Sequence, residues 1–84
     1  MVKENGGGFQ MYLADRIVSD PEIVHGRPRI NGTRMRVSDV LDLLAHGASI
    51  SEIVEDYPYV TVEDIQACIK FAAAQSDRAI LAVA

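Results

Sequence analysis

The residues with most capacity for chemistry lie in HGRPRINGTRMRV, residues 25–37, which holds four arginines: Arg27, Arg29, Arg34 and Arg36. A guanidinium presents a rigid fork of N–H donors that matches carboxylate or phosphate. Carried on an extended ribbon, such side chains can hold phosphates or enter a groove. Two readings stand for the cluster. It contacts an anionic partner, or it forms salt bridges with the acidic part of its own chain, as surface charges commonly do.

Other reactive residue types assemble into nothing comparable. Cys68 sits on an apolar helical stretch and reads as core filler, the usual fate of a free cysteine. His46 falls at a helix end, where the dipole accounts for it. His25 lies in a Gly-rich loop without a nearby carboxylate or cysteine in sequence. Glu55/Asp56 and Glu63/Asp64 are sequence neighbours, so each pair points to different helix faces and makes no acid–base dyad. One cysteine and two distant histidines do not make a zinc ligand set. The expectation is a non-enzyme without cofactor or metal.

The charge is unevenly divided. Residues 16–36 hold five arginines against Asp20 and Glu22, net +3, whereas residues 37–84 carry net -6 and the whole chain -4. An acidic total opposes nonspecific nucleic-acid binding by a monomer, because phosphate neutralisation drives such binding. A dimer that juxtaposes two basic fronts overcomes this. With 84 residues and a single cysteine, disulfides cannot support so thin a core, which points to self-association. The lone cysteine suits a reducing, cytoplasmic setting. No apolar run approaches a membrane span.

The elements that position the arginines follow from local signals. Residues 1–11, with Gly6-Gly7-Gly8, read as a flexible tail. Residues 12–76 read as one domain, and 77–84 as a C-terminal helix extension or tail. Arg16-Ile17-Val18 reads as a strand ended by Asp20-Pro21. Arg29-Ile30 and Met35-Arg36-Val37 flank Asn31-Gly32, a hairpin dipeptide whose members both tolerate positive φ. Strand alternation then turns Ile30, Met35 and Val37 inward, and Arg29, Arg34 and Arg36 outward.

Three helices follow. The first spans about 38–46, capped by Ser38, with Val37, Val40, Leu41 and Leu44 on one face and Gly47 as stop. Ser49 and Glu52 form a capping box for the second, which Pro58 ends. Thr61 caps the third, to about 75, whose apolar face is Val62, Ile65, Ile69 and Ala72. The fold class is therefore mainly α with short β strands: a trihelical helix-turn-helix core with an N-terminal β hairpin. The third helix is a poor base reader. Glu63 and Asp64 open it, and only Gln66 and Lys70 suit DNA.

Residues 16–72 resemble a bacterial family catalogued as domain of unknown function 433. The family pattern appears here as RIVSDPEIV, GRPRINGTRMRV, SDVLDLLAHGASISEIVEDYP and TVEDIQACIKFAA. Gly26, Pro28, Ile30, Gly32, Thr33 and Arg34 form its most specific segment. The resemblance implies a small cytosolic protein with a winged or homeodomain-like helix-turn-helix, often dimeric. It further implies an antitoxin paired with a PIN-like ribonuclease toxin, similar to Vap-type modules, that represses its own operon. This chain departs from the pattern at His25, where many relatives carry Cys or Gly, and at Arg29 and Arg36, where apolar residues or Pro are common.

The functional expectation is an antitoxin-like homodimer that binds a PIN-like toxin and its operator DNA, with Arg27, Arg29, Arg34, Arg36, Gln66 and Lys70 as nucleic-acid contacts. The alternative is a protein-interaction or dimerisation module with no nucleic-acid role. Neither involves a membrane or a small-molecule substrate.

Overall fold

The structure, a computed structural model, describes residues 10–77. Strand β1 is Met11–Ala14, β2 is Ile17–Ser19 and β3 is Arg29–Ile30. They form one antiparallel sheet in the order β1-β2-β3. Helices α1 (Val37–Ala45), α2 (Ile50–Asp56) and α3 (Val62–Ser76) follow. The domain is thus mixed α/β, with three helices behind an N-terminal three-stranded sheet.

Strand β1 departs from the sequence reading. Residues 1–9 of the expected tail lie outside the described residues, but Met11 opens a strand that pairs with Ser19. The two-residue connection is Asp15-Arg16, and Arg16 takes φ 69°. That conformation is uncommon outside glycine and Asn/Asp, so the sequence carries no hairpin signal there. Of the C-terminal extension expected over 77–84, residues 78–84 also lie outside the described residues.

The turn around Asn31-Gly32 forms, but only its first arm is a strand: the expected second arm, Met35-Arg36-Val37, contributes a single bridge, and Val37 opens α1. The Ile30 N–H donates to the Met35 carbonyl at 2.9 Å, and Arg29 bridges Arg36 in antiparallel fashion. Gly32 has φ +84°, the left-handed value only glycine adopts freely, while Asn31 does not share it. Thr33 fastens the turn: its hydroxyl donates to the Ile30 carbonyl and accepts from the Met35 N–H.

Each helix starts on an acid three residues inside its cap. The Asp39 carboxylate accepts from the Arg36 N–H at 3.0 Å, so α1 begins at Val37 with Arg36, not Ser38, in the capping position. Ser49 and Glu52 exchange hydrogen bonds at the start of α2, and Thr61 and Asp64 do so at α3. Helix α1 ends in a Schellman motif. The Ala48 N–H reaches the Leu43 carbonyl, the Gly47 N–H reaches Leu44, and Gly47 sits at φ +99°.

The core comprises Ile17, Ile30, Met35, Val37, Val40, Ile53, Val60, Ile65 and Cys68. Ile30, Met35 and Val37 are all buried as expected, Val37 from the first turn of α1 rather than from a strand. The face of α3 is rotated from the expected one. Asp64, Ile65 and Cys68 are buried, while Val62 and Ile69 are 40% and 41% exposed. Asp64 must turn inward to reach Thr61 and Arg16, and this fixes the rotation.

Candidate binding surface

Ile17 and Val18 are adjacent in β2, and both are fully buried. Neighbouring strand residues point to opposite faces, so both faces of the sheet are covered at β2. One face meets the helices through Ile17 and Ile30. The other carries Val18 and its register partner Arg29.

Arg29 is therefore not an outward arginine. It is 3% exposed, and the expectation that alternation would place it in solvent fails because a layer of polar side chains covers that face. Its Nη1 donates to the Thr33 carbonyl at 2.9 Å and its Nη2 to Gln10 Oε1 at 3.3 Å. Gln10 Nε2 donates in turn to Asn31 Oδ1, and Asn31 Nδ2 to the Tyr12 hydroxyl at 2.9 Å. Gln10 and Tyr12 share a face by strand period, as do Arg29 and Asn31, so the chain Tyr12–Asn31–Gln10–Arg29–Thr33 is set by register.

The other five expected contact residues do not converge. Arg36 is half-buried and pairs with Asp39 at 3.3 Å. Arg27 is exposed and borders a cleft of about 420 Å³ beside Leu41 and Phe71. Arg34 is exposed on the Gly32 turn, between a cleft lined by His46, Tyr57 and Tyr59 and another that contains Arg29. Gln66 and Lys70 are exposed on α3 and line a groove of about 500 Å³ with Leu13, Arg16 and Phe71. His46 sits at the C-cap of α1, its Nδ1 2.7 Å from the Asp42 carbonyl.

Sequence reasoning missed Arg16 and strand β1. The Arg16 guanidinium meets Asp64 at 3.0 Å, and its carbonyl accepts from the Asn31 N–H at 2.8 Å. This one residue ties the β1–β2 turn to α3 on one side and to the Gly32 turn on the other. The available signal was the MYLA run ahead of Asp15-Arg16, short of a recognised turn dipeptide. All four residues of β1 are exposed, with Met11 at 52%, Tyr12 at 62% and Leu13 at 40%. Among the described residues β1 is a sheet edge, with no strand neighbour on one side of its backbone.

The Cys68 thiol is pushed up to about 11, first by burial and then by the nearby Asp64 charge. At neutral pH it stays a protonated, unreactive thiol. Among the described residues no group of three His, Cys, Asp or Glu side chains is placed to hold a metal ion. Nor is any helix among them long and apolar enough to cross a membrane.

These features define a small α/β domain whose special residues lie on surfaces and in a polar sheet layer. The chain belongs to the family described as protein of unknown function (DUF433), which it matches over residues 17–72. The match takes in Arg29 and Asn31 but leaves β1, Gln10 and Tyr12 outside. The chain is similar to the crystal structure of Rv2018 from Mycobacterium tuberculosis, with 34% identity and a TM-score of 0.56, over 63% of this chain and 24% of that one. It thus spans about a quarter of that protein's length. No curated protein matches it.

Proposed function

We propose that this chain is an antitoxin-like regulator that acts first by binding protein: a second copy of itself and a toxin of the PIN-like nuclease type. The observation that carries this reading is β1, an edge strand with Met11, Tyr12 and Leu13 exposed beside the groove of Leu13 and Phe71. Exposed apolar edges favour strand pairing with another chain. On this reading α2 and α3, joined by residues 57–61, form a helix-turn-helix within a winged or homeodomain-like trihelical unit, and the 29–36 ribbon is its wing.

DNA binding takes second place. Arg29 is buried and Arg36 is paired, which leaves Arg34 on the ribbon and Arg27 just before it as the outward arginines. This distribution favours the alternative of a protein-interaction module without a nucleic-acid role over base reading by α3.

Co-expression of the full chain with its neighbouring reading frames tests the proposal. A nuclease-class partner is expected at fixed stoichiometry, with its growth arrest relieved by this chain and restored by Leu13→Lys. Relief that survives Leu13→Lys and Met11→Lys together removes β1 from the account. For DNA, Arg27→Glu with Arg34→Glu is expected to abolish any salt-sensitive binding to upstream DNA. Unchanged binding at low salt removes the ribbon from the DNA reading.

A further inference from the structure

Arg29 is a nearly fully buried cation that forms no ion pair with any described residue. The ion pairs among the described residues are Arg16 with Asp15 and Asp64, and Arg36 with Asp39. Arg29 Nε is buried without any hydrogen-bond partner. Its Nη2 is held only by the neutral Gln10 amide, at the long distance of 3.3 Å. Burial of an unpaired charge is unfavourable, and breaking or omitting one partner of a buried pair is the costly case. A fold that keeps Arg29 in this state has left one edge of the guanidinium fork unused.

Arg29 is among the residues that line a cleft of about 520 Å³, with Gln10, Asp20, Ile23, Asn31 and the Gly32–Arg34 turn, and its Nε lies covered beneath that lining. We infer that this cleft receives one carboxylate, from an acidic side chain of a protein partner, which displaces the Gln10 amide and takes the Nε–Nη2 edge of Arg29. Three features set the chemistry. A carboxylate is planar and matches the fork with two parallel hydrogen bonds. Arg34, exposed on the same rim, adds a second positive charge, and half-buried Ile23 offers an apolar wall for a methylene stem. Asp20 lines the cleft too, its Oδ1 accepting from the Glu22 N–H at 2.8 Å. That negative charge opposes any incoming anion, and a phosphate more than a singly charged carboxylate, so Arg29 and Arg34 together must outweigh it. The inference does not depend on the antitoxin reading, since any acidic protein partner satisfies it.

Gln10→Glu supplies the missing charge internally, because its carboxylate occupies the position of Gln10 Oε1. Asn31 can turn its amide over, donating to Glu at position 10 and accepting from the Tyr12 hydroxyl. The thermal midpoint of this variant is expected to rise by roughly 5 °C. The full chain, with the Arg29 Nε–H resonance followed by NMR, is then titrated with sodium acetate against sodium chloride at constant ionic strength. Acetate stands for the aspartate side chain.

The Arg29 signal is expected to shift saturably with acetate in the wild type, and to lose at least tenfold of that response in Gln10→Glu. The exposed Arg27 signal serves as the control and stays unmoved. Equal effects of acetate and chloride overturn the inference. So does a response to inorganic phosphate without one to acetate, which would make the site a phosphoryl site. A fall in the midpoint of Gln10→Glu overturns the claim that Arg29 lacks a counterion. Because that variant keeps Arg29 and the residue's shape, the test does not rely on a variant that merely unfolds.

Discussion

Replacing Asp64 by Asn separates the roles of one carboxylate at the junction of sheet and helices. Asp64 Oδ2 accepts from the Thr61 N–H and Oδ1 from Arg16 Nη1, both at 3.0 Å. Breaking a fully buried ion pair costs about 3–5 kcal/mol, whereas an exposed pair contributes at most about 1 kcal/mol. Here the Asp64 side chain is 10% exposed and that of Arg16 43%. The loss on Asp64→Asn is therefore intermediate, about 2 kcal/mol. The Asn side-chain oxygen can still accept from Thr61, so most of this loss belongs to the pair. Asp64→Ala also removes the acceptor for the Thr61 N–H, while the Thr61 hydroxyl still caps the residue-64 amide, and costs about 1 kcal/mol more.

At about 4–8 °C per kcal/mol for a domain of this size, Asp64→Asn lowers the thermal midpoint by about 8–16 °C. Urea denaturation of wild type, Arg16→Met, Asp64→Asn and the double variant gives the coupling energy, expected at about 1–1.5 kcal/mol. A coupling below about 0.3 kcal/mol, the ordinary scatter for independent sites, refutes the view that Arg16 anchors the β1–β2 turn to α3 through this pair.

Further outcomes follow from the same packing and caps. Ile53→Ala, at a site 1% exposed, costs about 2–5 kcal/mol and leaves so small a domain largely unfolded by circular dichroism at 37 °C. Ser49→Ala removes the acceptor for the Glu52 N–H and costs about 1 kcal/mol in urea melts. Cys68 has its ordinary value of 9.0 raised to about 11. The unfolded chain thus releases the thiol proton first, and stability falls as pH rises from about 9 to about 11, by on the order of 2 kcal/mol. Stability measured across that window for Cys68→Ala is expected to lack this component, which isolates it from tyrosine and lysine titration.

The parts of the fold that sequence reveals are those fixed within a few residues. Ser49 with Glu52, Thr61 with Asp64, Gly47 as a stop and Gly32 in a turn all act over three or four positions. The start of α1 was misplaced because Ser38 is a good cap by type, yet Asp39 reaches back to the Arg36 amide instead. What depends on distant pairing was hidden. Strand β1 exists because β2 lies beside it, and its turn uses an unusual Arg16 conformation. Arg29 alternates correctly with Ile30 but meets a second layer made of Gln10, Asn31 and Tyr12, which no local pattern announces. The rotation of α3 follows from Asp64 turning toward an arginine 48 positions away. The four arginines stand together in sequence, yet the fold distributes them among different surroundings. One is buried, one is paired with Asp39, and two face solvent.

The turn between β2 and β3 has a consequence for which substitutions the chain can accumulate. Val24, His25 and Gly26 take φ values of 43°, 56° and 76° in succession. The Ser19 hydroxyl donates to the Gly26 carbonyl at 2.6 Å, and the Gly26 and Arg27 amides donate to Ile23 and Val24. A β-branched residue is the least suited of all to left-handed backbone, at a cost of roughly 1–2 kcal/mol. Tolerance at these positions is thus decoupled from burial. None of the three is buried, yet substitutions at Gly26 should cost roughly 1–2 kcal/mol through backbone strain alone, since an added Cβ meets nothing closer than 3.7 Å, while Val24→Gly or Val24→Asn should score above wild type. A surface loop that is sensitive without being buried is a mutational bottleneck, and one whose sequence drifts toward glycine whenever selection acts on stability alone.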